Sequence, residues 1–179
     1  MELVVIRYIV EECERQNSGY ISVYDMCNAW DHAQHHADKA NLPRVDNDFI
    51  ERLGYLTEPV DNRNGFRTIP IYVGNGFDLV EKARWERVPY LLTQVIEAYY
   101  EGRLNPKDTI RTTREQGDWS NYKHLKKAKT AEDVFYYEYE NIHPFVDGNG
   151  RTGKILYNYL NGTLDNPILP PNFWNSSNP

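Results

Sequence analysis

Hydrophobic positions follow a helical period over the first third of the chain. Residues 3–13 place apolar side chains on one helical face and stop at an Asn-Ser-Gly break. A second, more polar helix is predicted from Val23 to Ala40, and a short one is predicted over residues 47–56. The stretch EPVDNRNG, residues 58–65, is dense in turn-forming residues and ends this helical part.

The period changes to two over GFRTIPIYVGNGF, residues 65–77, which predicts a strand that closes on a Gly-Asn-Gly turn. Pro70 has no N–H for a ladder, so we expect this strand to be an exposed edge. An edge strand offers unpaired backbone groups. Such an edge can hold an extended peptide as an added strand, which makes the segment a candidate docking surface.

A helical period returns after this element. Val88-Pro89 opens a predicted helix. Thr130 and Asp133 form a capping-box pattern for the next helix, which must stop at His143 because a proline follows. A last helix is predicted over residues 152–160. We therefore predict an all-α fold, a helical bundle with one small β-hairpin.

The composition fits one folded domain with a sizeable core. The chain has 179 residues, of which 40% are hydrophobic and 26% are charged. Its net charge of −6 argues against a global attraction to nucleic acid. No apolar run reaches the length of a membrane span, and the first residues lack the features of a signal peptide. We expect a protein that works in a cytoplasm, its own or a host's, without nucleic acid or a membrane as partner.

Residues 143–151 read HPFVDGNGR and concentrate polar chemistry between two predicted helices. Gly148, Asn149 and Gly150 precede a helix N-terminus, where unpaired backbone N–H groups and the helix dipole favour an anion. Glycines let that backbone form a concave nest for phosphate. Arg151 can add a charge-assisted contact to a phosphate oxygen.

The other residues of the motif suit a reaction at that phosphate. Asp147 beside a phosphate makes sense with a divalent cation between them, because Mg²⁺ commonly takes one carboxylate plus phosphate oxygens. His143 is the residue type suited to take a proton from an attacking hydroxyl near neutral pH. Pro144 stiffens the loop, and Phe145 anchors it in the core. The pattern predicts phosphoryl or nucleotidyl transfer.

These nine residues resemble the Fic motif H-P-F-x-[D/E]-G-N-G-R at every defined position, so the chain is similar to Fic-domain (Fic/Doc) proteins. GFRTIPIYVGNGF resembles the Fic flap, and ERVPYLLTQVIE resembles the helix that follows it. The resemblance implies a Fic core over residues 46–165. Residues 1–45 would form an N-terminal helical extension packed on the same domain, and residues 166–179 an irregular, proline-rich tail.

The resemblance implies a protein adenylyltransferase. Such an enzyme transfers AMP from ATP, with Mg²⁺, to a Tyr, Ser or Thr hydroxyl of a target protein and releases pyrophosphate. By match of motif, His143 would be the general base, Asp147 the Mg²⁺ ligand and Arg151 a phosphate ligand, with the anion hole formed by Gly148, Asn149 and Gly150. The flap residues that would dock the target backbone are Arg67, Thr68, Ile69, Pro70 and Ile71. A role as a toxin or host-directed effector is a further expectation.

Three departures from the family pattern bear on activity. Many members have a second arginine three residues after Arg151, where this chain has Lys154; we assign it to phosphate binding, although it lacks the planar fork of arginine. Many have a histidine at the position of Tyr136, which we interpret as a packing change. Many carry an autoinhibitory [S/T]-x-x-x-E-[G/N] helix, and no such stretch occurs here. Either a separate inhibitor or antitoxin protein would restrain the enzyme, or nothing would.

Two other functions stay open. A transferase of the same fold could use another donor, transfer UMP or a phosphoryl group, or remove AMP, and Lys154 keeps another donor open. A non-catalytic module could instead hold a partner along the flap. Tyr157 and Asn158, one to two turns into the last helix, are candidates for an adenine pocket, and helix packing is an equally good interpretation of both.

Overall fold

A computed structural model describes residues 1–37, 44–74, 79–109 and 123–174 of the chain. The elements follow in the order α1 (Leu3–Arg15), α2 (Tyr20–Ala37), α3 (Asn47–Thr57), β1 (Tyr72–Val73), β2 (Val80–Glu81), a 3₁₀ turn (Trp85–Arg87), α4 (Val88–Tyr100), α5 (Ala131–Ile142) and α6 (Asn149–Leu160). β1 and β2 form an antiparallel hairpin. The predicted fold class, all-α with one small hairpin, is confirmed.

Local capping chemistry sets the bounds of the helices around the motif. Thr130 and Asp133 form the predicted capping box at the start of α5. Pro89 lies in the first turn of α4, where its missing N–H leaves no hydrogen bond unmade. α5 ends at Ile142 because the ring of Pro144 is incompatible with a further helical turn. The motif therefore begins where a helix is forced to end.

One hydrophobic core joins the N-terminal helices to the motif. Val5 of α1 and Trp30 of α2 are fully buried in the same cluster as Phe145 of the motif loop. Trp30 Nε1 also donates a 3.0 Å hydrogen bond to the carbonyl oxygen of Leu164, beyond α6. A second, smaller cluster packs α5 and α6 against Phe173 of the tail. α1 and α2 thus lie directly against the helices that carry the motif.

Most of the predicted strand over residues 65–77 is not part of a ladder, which corrects the expected length of this element. Only Tyr72 and Val73 pair with β2, and residues 75–77 lie outside the described residues. The Arg67 N–H donates instead to the Pro144 carbonyl oxygen at 2.9 Å, so this part of the segment is bound to the motif loop. Tertiary contact has replaced strand pairing here.

Two helices begin earlier than the hydrophobic period predicted. α2 begins at Tyr20 instead of Val23, and α6 begins at Asn149 instead of residue 152. Tyr20 is exposed and residues 149–151 are polar or glycine, so neither start extends an apolar face. The predicted end of α2 at Ala40 lies outside the described residues. Within the part of the chain that the structure describes, no helix combines the length and the apolar character needed to cross a bilayer.

Candidate active site

His143 follows α5 in a strained backbone conformation. Its φ of 54° lies in the left-handed region, which costs a residue other than glycine about 1–3 kcal/mol unless the surroundings fix it. Here the His143 carbonyl oxygen accepts a 2.7 Å hydrogen bond from Arg67 Nε, and the His143 N–H donates to the Tyr139 carbonyl oxygen at 2.9 Å. These bonds hold the imidazole at the junction of α5, the flap (residues 65–73) and the motif loop.

Arg67 braces the motif loop from inside, which corrects its assignment as a target-docking residue. Only 2% of its surface is exposed. Its guanidinium donates to the carbonyl oxygens of His143, Ile142, Ile69 and Ala83. A side chain committed to these main-chain acceptors does not reach a target. Its burial also lowers the pKa of Arg67, although the residue stays far from neutral at physiological pH.

The rest of the flap lies at the surface. Thr68, Ile69 and Pro70 are exposed, and Ile71 is partly buried. The Ile71 carbonyl oxygen accepts from the Lys82 N–H at 2.9 Å, which extends the hairpin pairing by one bond. Residues 68–70 lie before that pairing and beside His143, held there through Arg67. They remain the candidate docking edge.

The first half of the motif loop is fixed in the core. Pro144 and Phe145 are buried, and the Phe145 ring lies so close to Gly54 of α3 that a Cβ atom there would overlap it. The Asn149 side chain closes the loop: its Oδ1 accepts from the Phe145 N–H and its Nδ2 donates to the Phe145 carbonyl oxygen, both at 2.9 Å. The Asn149 side chain therefore shapes the nest, and its backbone N–H is the group that a ligand would meet.

Gly148 and Gly150 form the candidate anion nest at the start of α6. Gly148 has a φ of 74°, the left-handed conformation that glycine adopts without strain. The first-turn N–H groups of α6 have no acceptor within the helix. A Cβ atom on Gly150 would stand 3.0 Å from Gln16 Nε2, so the end of α1 lies against the nest. A phosphate that enters the nest would therefore meet α1.

Asp147 places one exposed carboxylate at the rim of the nest. Its side chain is 64% exposed, and its Oδ1 accepts a 2.5 Å hydrogen bond from the Gly148 N–H. A single exposed carboxylate beside these amides fits Mg²⁺, which completes its shell with phosphate oxygens and water. Within the described residues, no group of three or more His, Cys, Asp or Glu side chains offers a closed metal site. The donor set thus suits a metal held jointly with a nucleotide.

Arg151 is buried and already paired. Its Nη2 donates to Glu58 Oε2 at 2.8 Å, and its Nη1 lies 3.4 Å from the Thr57 carbonyl oxygen. Only 3% of the Arg151 side chain is exposed, against 19% for Glu58. The guanidinium therefore faces the end of α3. A phosphate in the nest would have to share Arg151 with Glu58 or draw it away.

Lys154 forms an ion pair with Glu12 of α1, a residue that sequence reasoning did not single out. Glu12 is fully buried, accepts a 2.5 Å hydrogen bond from Gln16 Nε2, and lies 3.1 Å from Arg15 Nη1. A buried carboxylate is costly without such partners. The second cation predicted to bind phosphate is thus occupied by a carboxylate of the same chain.

A glutamate therefore lies at this site although the inhibitory sequence pattern is missing. The residue four before Glu12 is Tyr8 instead of Ser or Thr, and the next residue is Cys13 instead of Gly or Asn. A different signal was available, because Glu12 falls on the buried face of α1 with Val5 and Ile9. A lone carboxylate on an apolar helical face predicts a buried cation nearby, and that cation is Lys154.

The surroundings keep His143 neutral at pH 7. Burial, together with the nearby positive charges of Lys82 and Arg67, lowers the pKa of His143 to about 4. Lys82 follows β2, and burial in turn lowers the pKa of its ammonium group. Sequence reasoning missed Lys82 because nothing in its local pattern places it beside a residue 61 positions later. A neutral imidazole is the form that accepts a proton.

Tyr157 and Asn158 pack against neighbouring side chains and the tail, which favours the helix-packing interpretation of the two that the sequence left open. The Tyr157 hydroxyl donates to Asp133 Oδ1 at 2.9 Å, and its ring packs edge-on against Tyr136. Asn158 is fully buried and holds the tail by donating to the Ile168 carbonyl oxygen at 3.1 Å and accepting from the Ile168 N–H at 2.8 Å. Both side chains are committed to the core.

Comparison with known proteins gives one family and several likenesses. The sequence model of the Fic/DOC family matches residues 82–160, from the end of the hairpin to the end of α6. A curated relative, the ribonucleoside-diphosphate reductase small chain of Ostreid herpesvirus 1, is 25% identical over 145 residues. That match covers 80% of this chain and 23% of the viral protein, so the chain spans about a quarter of that relative.

Two solved structures share the fold. A Fic domain containing signaling protein from Bacteroides thetaiotaomicron superposes with a TM-score of 0.53 and 20% identity, over 78% of this chain and 46% of that one. A Fic family protein from Desulfovibrio desulfuricans gives 0.56 and 16%, over 89% of this chain and 42% of that one. The chain spans less than half of either structure. With the family match over residues 82–160, which includes the whole motif, these findings show that the chain has the Fic fold and that its second half is similar to Fic-domain proteins.

Proposed function

We propose that the chain is a protein adenylyltransferase that transfers AMP from ATP to a hydroxyl side chain of a target protein. One observation carries the proposal: the neutral imidazole of His143, the exposed carboxylate of Asp147 and the first-turn amides of α6 share one loop. A base, a metal ligand and an anion nest in this arrangement suit attack on a nucleotide phosphate.

The residues divide the chemistry by position. The nest at Gly148 and Gly150 holds phosphate oxygens, and the helix dipole stabilises their charge. Asp147 would hold Mg²⁺, which when bound neutralises charge on the phosphates. His143 takes the proton of the target hydroxyl as the hydroxyl oxygen bonds to the α-phosphorus and pyrophosphate departs. Phe145 and Asn149 keep the loop rigid, so these groups hold their places without reorganising.

The flap supplies the docking surface in this proposal. Thr68, Ile69 and Pro70 are exposed beside His143 and offer main-chain groups to an extended target segment. Arg67 contributes only by fixing the edge to the catalytic loop. Target selection would therefore depend on main-chain pairing at the flap, with the target hydroxyl directed at the imidazole.

Glu12 restrains this activity from within the chain. It occupies Lys154 and, through Gln16, lies against Gly150. A nucleotide phosphate at this end of the nest must compete with a buried carboxylate for the same ammonium group. The sequence left either a separate inhibitor protein or no restraint; in this proposal α1 supplies the restraint from within the chain.

Removal of AMP from a modified protein is a second candidate function, and Glu12 is the observation that favours it. The same resemblance implies that removal typically uses the regulatory glutamate. In this chain Glu12 is paired with Lys154, the cation that follows the nest. The two functions make opposite predictions for Glu12. Its neutralisation releases Lys154 and raises AMP transfer, whereas it abolishes AMP removal.

The test is to incubate the wild type and the His143→Ala variant with α-³²P-labelled ATP, Mg²⁺ and cell lysate, followed by intact-mass analysis of labelled bands. We expect an AMP-sized adduct on a target or on the chain itself, and a loss of labelling of about 100-fold or more in His143→Ala. Parallel reactions with labelled UTP, GTP and CTP identify another donor. AMP-labelling that persists in His143→Ala would overturn the role of the base.

A matched arm measures the second candidate. Glu12→Gln is used to label the target, and wild type is then added without ATP. Loss of the label with wild type and not with Glu12→Gln supports AMP removal. A stable label under both conditions leaves transfer as the activity. If no labelled nucleotide modifies anything in either variant, the chain is a binding module and the transferase proposal fails.

A further inference from the structure

A buried ring nitrogen of the candidate base lies close to a carboxyl group of α5. Glu140 lies one turn before His143 on α5, with its Oε2 4.0 Å from His143 Nδ1. His143 Nδ1 is buried without a hydrogen-bond partner, and so is the other carboxyl oxygen, Glu140 Oε1. Buried donors and acceptors are rarely left unpaired in proteins, and each such exception needs an explanation. A small movement of the Glu140 side chain would bring a carboxyl oxygen to hydrogen-bond distance of Nδ1.

The packing of α6 makes room for the Glu140 carboxyl group. A Cβ atom on Gly153 would stand 2.8 Å from Glu140 Oε1 and 2.9 Å from Tyr139 Cε1. Any larger residue at position 153 would push the carboxyl group away from its place beside His143. The glycine two residues after Arg151 thus serves α5 and not the anion nest.

The charges around Glu140 come from four elements. Burial raises the pKa of Glu140, and Glu12 of α1 raises it in the same direction, whereas Lys154 of α6, Lys82 after the hairpin and Tyr136 of α5 lower it; the result is a pKa of about 7. Above about pH 7, Glu140 is available as an anion near two ammonium groups.

We propose that Glu140 is a positioning residue for His143: it accepts a hydrogen bond from Nδ1–H, directs Nε2 at the target hydroxyl and supplies the negative charge opposite the imidazolium. This rests on the proposed function of His143 as a base. When Nε2 takes the hydroxyl proton, the imidazole becomes a cation in a buried site that already contains Lys82 and Arg67. A buried cation needs a counter-charge, and the Glu140 carboxylate provides it above about pH 7.

The 4.0 Å separation suits a pair that closes during the reaction. Hydrogen bonds of catalytic groups are often long without substrate and shorten in the reacting complex. Asp147 offers no alternative support for Nδ1, because its carboxylate is exposed at the rim and bonded to the Gly148 N–H. Among the described residues, Glu140 is the carboxylate that forms an ion-pair contact with His143.

The experiment is a pH titration of histidine side chains by ¹⁵N NMR on the full chain, in wild type and Glu140→Gln, with His143 identified by its loss in His143→Ala. The matched control is Glu138→Gln. The Glu138 carboxyl group is also buried on α5, and burial also raises its pKa to about 7. It lines a cavity against α4, away from His143. We expect the neutral wild-type ring to carry its proton on Nδ1. At pH 8, where Glu140 is ionised and His143 is neutral, the fraction of rings that carry the proton on Nδ1 should fall by about half or more in Glu140→Gln and stay unchanged in Glu138→Gln.

Kinetics give the second readout. Glu140→Gln should lower kcat for AMP transfer by about 10-fold to 100-fold with little change in KM for ATP, because the lost interaction acts in the transition state. The acid limb of the wild-type pH profile near pH 7 should also disappear. Glu140→Asp, which keeps the charge on a shorter side chain, should restore part of kcat.

The outcomes separate the two proposals. The same protonated nitrogen of His143 at pH 8 in wild type and Glu140→Gln overturns the role of Glu140, even if the enzyme transfers AMP. A change of the protonated nitrogen in a chain that modifies no target supports the Glu140–His143 pair while the transferase proposal fails. If Glu140→Gln does not fold, the same measurement on Glu140→Asp decides, with an unchanged protonated nitrogen again counting against the pair.

Discussion

Two sides of the motif loop bind it in different ways. On the α3 side, Phe145 packs on Gly54, and Arg151 is paired with Glu58. On the α1 side, Lys154 is paired with Glu12 and Gln16 lies against Gly150. Both sides place a carboxylate on a cation predicted to bind phosphate. The α3 side adds tight aromatic packing to its ion pair, whereas the contacts of Glu12 and Gln16 on the α1 side are polar.

The difference indicates which side holds the loop and which side covers it. An aromatic ring packed on a helix backbone prevents small displacements of the loop, because protein cores are packed to the density of crystals. A lysine on a flexible stem can exchange one oxygen partner for another. We therefore interpret the α3 side as the fixed support of the site and the α1 side as the part that a nucleotide displaces. The following predictions test that division.

The largest effect is expected from Gly54→Ala, which breaks the α3 side. The added methyl group overlaps the Phe145 ring, and overpacking of this kind costs about 3 kcal/mol in unfolding free energy. Chemical denaturation of wild type and variant measures it. Gly19→Ala is the control, because a Cβ atom at Gly19 meets nothing within 4 Å and should change stability little. Equal stability of Gly54→Ala and wild type would show that the loop is not rigidly supported.

Glu138→Gln provides a reference for the ion pairs on both sides of the loop, because it measures the free-energy cost of burying a carboxyl group. Burial alone raises the pKa of Glu138 to about 7. The folded state holds this proton more tightly than the unfolded state. The unfolding free energy of wild type therefore falls as pH rises from about 4.5 to 7, and the loss is complete above 7. Gln does not ionise, so the variant should be more stable than wild type by about 2 kcal/mol at pH 8 and equal at pH 4.

Thermal unfolding of both proteins from pH 4 to pH 8 checks this window. Glu140 titrates in the same range but is present in both proteins, so its contribution cancels in the difference. A constant difference at all pH values would mean that Glu138 has the same pKa in the folded and the unfolded protein. Burial of a carboxyl group would then cost little, and the cations paired with Glu12 and Glu58 would contribute less to stability than the comparison of the two sides of the loop assumes.

Glu12→Gln should release the α1 side and raise AMP labelling by about tenfold. The reason is that the negative charge that competes with phosphate for Lys154 is removed. A tenfold change equals about 1.4 kcal/mol of free energy. Glu58→Gln, the matched change on the α3 side, should give no increase and should lower thermal stability, since it leaves the Arg151 guanidinium buried without its anion. Labelling rates with ATP and Mg²⁺ measure both. Equal activation by the two variants would remove the distinction between support and cover.

Lys154→Arg should give the smallest effect and sharpen the α1 side. Arginine can form a two-pronged pair with a carboxylate or a phosphate. With Glu12 present, the variant should lower labelling by about two- to threefold, because the restraining pair is strengthened. In the Glu12→Gln background the same change should raise labelling by a similar factor. Effects of one sign in both backgrounds would contradict competition for this cation.

The sequence predicted most of the secondary structure, and it placed the candidate site residues in one loop, because both depend on local features. The capping box at Thr130, the helix stop before Pro144 and the glycines at 148 and 150 each act over four residues or fewer. The predicted strand was too long because Arg67 bonds to Pro144, a contact across 77 positions that no period reveals. The same long-range bond turned a predicted docking side chain into an internal brace.

The amino-acid sequence by itself determined that a base, a carboxylate and an anion nest stand together at the end of α5, since nine consecutive residues carry them. Only the tertiary structure decided which charges those residues meet. Glu12, Glu58 and Lys82 reach the site from three other elements, and Glu140 reaches it because Gly153 leaves room. Burial and charge act through space, so the state of His143 and the availability of Arg151 and Lys154 depend on neighbours that the chain brings together only by folding.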